Sequence, residues 1–191
     1  MNKQFIRIYD FDGTIYDGNS TVDFFFFFMS RHPSTWIKIP WLSILYLLFW
    51  SGLISLTTFL EEIFHIFRNS KKIEQDVELF WKKNRTKIRG FYCGTQHSND
   101  IIISASPEFL LCYICKELGV GTIIASKYDI KKGKFIGNLC FGIDKQRRLN
   151  ALGIYRCDEL YTDVLKDAPI VKMADIAFLV DNKRFTLIWK K

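Results

Sequence analysis

The 191-residue sequence has no zinc-ligand spacing, no RNP-like run and no basic helix. Its 27 lysines and arginines are scattered, which argues against a nucleic-acid partner. It also lacks the cysteine spacing of a disulfide scaffold, because Cys93, Cys112, Cys115, Cys140 and Cys157 make an odd set. Cys112 and Cys115 have the spacing of a redox pair, but they fall in an apolar helical run over residues 109–118, where buried structural thiols are expected. The opening residues run into a strand-like segment without the pattern of a secretory leader, so the expected setting is the reducing cytoplasm. No internal repeat or low-complexity linker interrupts the chain apart from one phenylalanine run. The length suits one domain, or a core with an insertion. One further absence is local: residues 39–60 contain no charged side chain.

What is abundant is apolar and aromatic. Hydrophobic residues make up 49% of the chain and aromatic ones 16%, with 18 phenylalanines. The formal net charge of +7 suggests an anionic partner, and a phosphorylated substrate or an acidic lipid surface would each satisfy it. Residues 24–28 are five consecutive phenylalanines, and the uncharged stretch that follows is punctuated by Trp41, Tyr46 and Trp50.

That stretch reaches the ~20 residues needed for a membrane span. A single crossing would put the chain before it and the chain after it on opposite sides of a bilayer. If both halves build one active site, that topology is excluded. What remains is a helical hairpin, either buried or interfacial, broken near Ser51-Gly52. Each half, at about 1.5 Å per residue, reaches only part-way through a hydrocarbon core. Residues 59–68 continue with helical spacing, residues 70–88 read as a polar amphipathic helix, and residues 90–99 as a return loop.

The chemistry concentrates near the N-terminus. Phe5, Ile6, Ile8 and Tyr9 form a β-prone run that delivers Asp10 and Asp12 into a turn at Gly13-Thr14. Asp10 would sit at the carboxyl end of a central strand, where open α/β sheets bind ligands. Side chains two apart in extended chain point the same way, so Asp10 and Asp12 can address one substrate.

The pattern Asp10-Phe11-Asp12-Gly13-Thr14 resembles the first motif of the haloacid dehalogenase (HAD) superfamily, and three further stretches resemble the later motifs in order. Residues 100–108, DIIISASPE, are similar to the second motif, an apolar strand ending in Ser104; Ser106-Pro107 reads as the cap of the following helix. Lys145 is the candidate for the third motif, in competition with Lys132, Lys134, Arg147 and Arg148, and is preferred because it starts a helix as the family's lysine does. Residues 159–167, ELYTDVLKD, resemble the fourth, with Asp163 and Asp167 as its acids and Thr162 and Val164 departing from the commoner form.

The resemblance implies an α/β fold of three layers, a Rossmann-like parallel sheet with a helical cap inserted between the first two motifs. Residues 1–20 and 89–191 would form the core and residues 21–88 the cap, as in the phosphoserine-phosphatase-like subfamily. It implies a phosphate monoester hydrolase with Asp10 as nucleophile and Asp12 as general acid and base. Ser104, Lys145 and Thr14 would hold the phosphate, and Asp10, Asp12, Asp163 and Asp167 would hold Mg²⁺. The aromatic, uncharged cap resembles that of phosphatidylglycerophosphatase C-type proteins. That likeness implies a lipid phosphate such as phosphatidylglycerophosphate, met at the inner face of the membrane. A soluble enzyme on a small phosphorylated metabolite is the first alternative, although the acid that phosphoserine phosphatases place after the first motif falls at Asn19. A phosphate-accepting signalling domain is the second, and Asp12 and the long cap disfavour it.

Overall fold

The run before Asp10 forms β1 (Arg7–Tyr9), and it lies near the middle of a sheet, as its unbroken β-forming composition predicts. The computed structural model describes residues 5–68, 70, 72–164, 168–181 and 184–191. After β1 come β2 (Ile101–Pro107), β3 (Thr122–Ser126), the hairpin strands β4 (Tyr128–Asp129) and β5 (Lys134–Phe135), then β6 (Cys157–Thr162), β7 (Ala174–Asp181) and β8 (Arg184–Lys190). The main sheet has the order β3-β2-β1-β6-β7-β8. All its pairings are parallel except β7 with β8, so the expected parallel sheet carries one antiparallel edge strand. β7 and β8 are joined by a connection too short for the crossover that a parallel neighbour would need.

Alternation along β1 divides the core between the two faces of the sheet. Ile8 joins Ile101, Ile103, Leu149, Leu160 and Ala177 on one side, while Tyr9 joins Ile102, Leu110 and Trp81 on the other. Both faces are therefore covered, as a parallel sheet requires. The helices are α1 (Ser20–Arg31), α2 (Ile39–Trp50), α3 (Leu56–Phe64), α4 (Ile73–Asn84), α5 (Gly90–Thr95), α6 (Glu108–Glu117), α7 (Ile143–Ala151) and α8 (Ala168–Val171).

The phenylalanine run is helical, and its period sorts the rings. Phe24 and Phe28, four apart on α1, are buried against Phe67, whereas Phe26 on the opposite side is 64% exposed. Asp76, buried on α4, accepts hydrogen bonds from Arg31 Nε at 2.9 Å and pairs with His32 Nε2 at 2.8 Å, so the end of α1 is tied to α4. Trp81, fully buried on α4, donates to the Leu110 carbonyl at 2.7 Å and joins these helices to α6.

The uncharged stretch breaks where expected. α2 ends at Trp50, Gly52 takes a left-handed φ of +75°, and Ser55 caps α3 by accepting from the Thr58 amide. Among the described residues no helix is long and apolar enough to cross a membrane. α2 buries only Leu45, because it is apolar all round and the rest of the chain covers one narrow side of it.

Three sequence expectations need correction. Residues 90–99 are not simply a loop: α5 occupies their first part because Tyr92 is drawn into the core, edge-on to Tyr9 at 4.9 Å. The helix expected over residues 70–88 is shorter, since α4 ends at Asn84 and gives way to a 3-10 turn. All five cysteines are free, but only Cys115, Cys140 and Cys157 are buried; Cys112 lies on the outer side of α6 and is exposed.

Candidate active site

Asp10 follows β1 directly. Its amide donates to the Tyr161 carbonyl at 2.9 Å, which continues the β1–β6 pairing by one residue and fixes the carboxylate above the strand ends. One carboxylate oxygen accepts from the Phe11 amide at 2.7 Å, and the other accepts from Lys145 Nζ at 2.7 Å. Lys145 is only 2% exposed, on the same face of α7 as fully buried Leu149, so the helix that packs on the sheet also delivers the cation. Such a buried pair is strongly destabilised when one partner is removed.

Asp12 lies on the far side of the turn. Its carboxylate accepts from the Ser20 amide at 2.5 Å and from Ser106 Oγ at 2.5 Å, with Ser104 Oγ at the longer distance of 3.5 Å. The side chain keeps some contact with the cavity, but desolvation by the surrounding protein pushes its pKa up, against the smaller lowering by Ser106 and Ser20. A carboxyl in this setting holds its proton more readily than one in water.

The sequence reads Ser106 as a helix cap; the structure places it elsewhere. β2 continues through Pro107, α6 starts only at Glu108, and no side chain caps that helix. The register against β3 shifts between Ser104 and Pro107, an irregularity of the kind that re-aims side chains beside a site. Ser106 Oγ therefore meets Asp12 and, at 2.7 Å, Thr21 Oγ1, while Ser104 Oγ accepts from the Ser106 amide at 3.1 Å. The signal was present in the sequence: Ser104 and Ser106 are two apart at the end of a strand, as Asp10 and Asp12 are.

Gly13 explains how Asp163 approaches. Its φ is +73°, and a Cβ there would overlap the Asp163 carboxylate. Asp163, just beyond β6, thus packs directly on the turn that follows Asp10 and Asp12.

Asp10, Asp12, Ser104, Lys145 and Asp163 all line one cavity of about 310 Å³. Thr14 does not: it is fully buried behind the turn, and its Oγ1 has no hydrogen-bond partner among the described residues. Asp167 lies outside the described residues. The opposite wall is apolar, formed by Val22 on α1, Leu56, Leu60 and Phe64 on α3, and Phe135 on β5. Glu61 on α3 accepts from the Phe135 amide at 2.9 Å, and Gly133 in the hairpin lies against the His65 ring, so the hairpin holds α3 over the site.

Among the described residues no three acidic, histidine or cysteine side chains converge as a ready-made metal cage. Mg²⁺ does not need one, since it is generally held by one or two carboxylates with water and phosphate oxygens. The close approach of the Asp163 carboxylate to the Gly13 turn supplies an oxygen-only donor set of that kind together with Asp10.

A sequence profile of haloacid dehalogenase-like hydrolases matches residues 8–171. No curated protein matches the chain by sequence. Among solved structures, a protein of unknown function from Bordetella pertussis Tohama I is 16% identical with a TM-score of 0.73, covering 89% of this chain and 87% of its own. A phosphoserine phosphohydrolase-like protein from Francisella tularensis subsp. tularensis SCHU S4 is 14% identical with a TM-score of 0.53, covering 91% and 86%. A phosphoserine phosphatase solved as a phospho-aspartyl intermediate analogue is also 14% identical, with a TM-score of 0.50 and coverage of 92% and 86%. At these identities the likeness is one of fold, and it is the same three-layer fold. The profile match spans the motifs from β1 to α8, and the chain belongs to the haloacid dehalogenase-like hydrolases.

Proposed function

We propose that the protein is a phosphate monoester hydrolase working through a phosphoryl group carried on Asp10. The observation that supports this best is the pairing of Asp10 with buried Lys145 at 2.7 Å in the same cavity as Asp12, Ser104 and Asp163. A carboxylate nucleophile beside a fixed cation is suited to phosphoryl transfer, where positioning and charge stabilisation do most of the catalysis.

In the first step an Asp10 oxygen attacks phosphorus, forming the Asp10–phosphorus bond as the bond to the leaving alkoxide breaks. Asp12 gives its proton to that alkoxide, and its burial favours the protonated form the step requires. In the second step Asp12, now ionised, takes a proton from water; the water oxygen bonds to phosphorus, and the Asp10–phosphorus bond breaks to release inorganic phosphate. The fold relative solved as a phospho-aspartyl analogue gives this route a precedent within the fold. Lys145 and Ser104 offset charge on the phosphoryl oxygens, and Ser106 holds the Asp12 carboxyl in place. Asp10, the Asp12 backbone carbonyl and Asp163 would hold Mg²⁺. When bound, the ion would neutralise charge on the phosphate and help orient it. Thr14, set back from the cavity, acts through the turn and does not touch phosphate.

Residues 21–88 serve as the cap and give the substrate side. We assign the substrate to lipid phosphate monoesters, with phosphatidylglycerophosphate the member the cap's sequence resemblance points to, reached from the cytoplasmic face of a membrane. The apolar wall of the catalytic cavity and the exposed aromatic surface of α2 support this. A small phosphorylated metabolite is the second reading, favoured by fold relatives described as phosphoserine phosphatases. Against phosphoserine itself, Asn19 spends its side-chain oxygen capping α1 through the Val22 amide at 3.0 Å. The test is a phosphatase screen with Mg²⁺ and with EDTA, offering phosphatidylglycerophosphate beside sugar, serine and nucleotide phosphates. Metal-dependent release from the lipid alone is the expected result; release from none of them overturns the hydrolase assignment to phosphate esters.

A further inference from the structure

A second cavity, about 730 Å³ in volume, lies between α1, α2 and α3, and among the described residues no charged side chain lines it. Three of its polar groups are turned back on backbone carbonyls, and the fourth, the Tyr46 hydroxyl, belongs to a side chain that is largely exposed. Ser30 Oγ donates to the Phe27 carbonyl at 2.7 Å, Ser43 Oγ to the Ile39 carbonyl at 3.1 Å, and Trp36 Nε1 to the Met29 carbonyl at 3.0 Å. A polar ligand would find little here to replace its water, and desolvating it would be unfavourable. A hydrocarbon chain has no such cost.

The cavity also begins where the catalytic pocket ends. On α1, Val22 lines the catalytic pocket while Phe25, Phe26 and Met29 line the apolar one. These positions are three, four and seven residues on from Val22, a single stripe along the helix. On α3, Leu60 faces the catalytic pocket and Ile63, three residues on, faces the apolar one. One helical turn, ~5 Å, separates the two sets of walls.

We infer that this groove takes the hydrocarbon chain of the substrate whose phosphate enters the Asp10 pocket, so that the enzyme reads a headgroup and a chain in one binding event. The inference rests on reading the Asp10 pocket as a phosphate site. It adds that specificity lies in chain length, measured by α1, α2 and α3.

The test uses butyl-, octyl- and dodecylphosphonate, which are not hydrolysed, in calorimetric titrations of the intact protein with Mg²⁺ below their micelle concentrations. Affinity should rise by about fourfold per added methylene until the groove is filled. Ser43→Trp and Ser30→Trp, on different helices of the wall, should each flatten that slope, and either one folded suffices. As a measurement on the unaltered chain, bromine-terminated octylphosphonate should quench a part of the tryptophan emission that Trp36→Phe removes. Hydrolysis of the matching alkyl phosphates runs in parallel. Length-dependent binding without any hydrolysis would keep the groove and remove the phosphatase reading. Length-independent binding, an unchanged slope in a folded tryptophan variant, or no quenching would each overturn the inference. So would a dimer that the phosphonates neither bind nor dissociate, or attachment to anionic vesicles with no chain-length dependence for the free ligands; these would assign the groove to a second copy or to a bilayer.

Discussion

α1 and α2 are both twelve-residue helices loaded with large apolar side chains, and the protein treats them differently. α1 keeps Ser20, Thr21 and Asp23 among its phenylalanines, so it has a defined inner face, and Phe24 and Phe28 disappear into the core. α2 has no charge and no polar face, and only Leu45 is buried. Around it Ile37 is 84%, Trp50 79% and Leu53 74% exposed. Apolar composition therefore does not decide burial in this chain. Period and available partners do, and the helix without a polar face is the one the fold leaves over. The candidate site shows the converse: Asp10, Asp12 and Lys145 are polar, yet each is held by a specific partner inside the protein.

The largest effects should come from the polar groups buried on purpose. Asp10→Asn keeps an oxygen for Lys145 to donate to, so the variant should fold, while phosphate release should fall by about 10⁴-fold or more with loss of the nucleophile. Asp12→Asn should cost about 10²- to 10⁴-fold, the range for general acid-base groups. Both are read as initial rates on an aryl phosphate with Mg²⁺, with a thermal melt beside them. Near-native turnover in Asp10→Asn would end the aspartyl-phosphate mechanism.

Next in size is Gly13→Ala. The left-handed φ costs about 1–2 kcal/mol in a residue with a Cβ, and the new methyl must displace the Asp163 carboxylate. The expected outcome is a rise of about 10- to 100-fold in the Mg²⁺ concentration giving half-maximal rate. A melting point lowered with unchanged metal dependence would remove Asp163 from the metal site.

Within α1 itself the comparison can be made at adjacent turns. Phe28→Ala should destabilise by about 3–5 kcal/mol, since Phe28 is buried against Phe67 at 4.9 Å between ring centroids. Phe26→Ala, on the outer side, should change stability by no more than about 0.5 kcal/mol. Urea unfolding of the two variants distinguishes them, and equal losses would mean the run is not sorted by helical period.

These same features show what the sequence makes legible. The strand that delivers Asp10, the strand that carries Ser104 and the helix carrying Lys145 are legible because each rests on local signals: β-forming runs, a turn glycine, a helical period. The role of Ser106 is not legible because serine before proline is also a good helix start, and only the register shift against β3 shows which role it has. Thr14 reads as a phosphate ligand because it follows Asp10 and Asp12, but it is buried behind the Gly13 turn, against which Asp163 packs from the end of a distant strand. The fate of the uncharged stretch was unreadable for a related reason. A helix apolar on every side carries no periodic signal of which side is covered.

The smallest expected effect on the fold belongs to that stretch, and it carries the sharpest consequence. Ile37, Trp50 and Leu53 are the most exposed large apolar residues around α2, and replacing all three with glutamate removes no described packing in the core. Leu45 must be left intact, because it is the buried residue of that helix. Urea stability of Ile37→Glu/Trp50→Glu/Leu53→Glu should therefore stay within about 0.5 kcal/mol per site of the parent. If the exposed face rests on a lipid surface, the same variant should lose co-sedimentation with anionic vesicles. Each apolar side chain withdrawn forfeits about 1.5–3 kcal/mol of burial, and the new carboxylates are repelled by acidic headgroups that attract the +7 parent. Raising salt should weaken the parent's binding only in part, because the apolar contribution is not screened. A parent that stays in the supernatant with vesicles present would remove the membrane from the proposal while leaving the catalytic assignment standing. A variant that unfolds would instead show that these side chains pack within the fold.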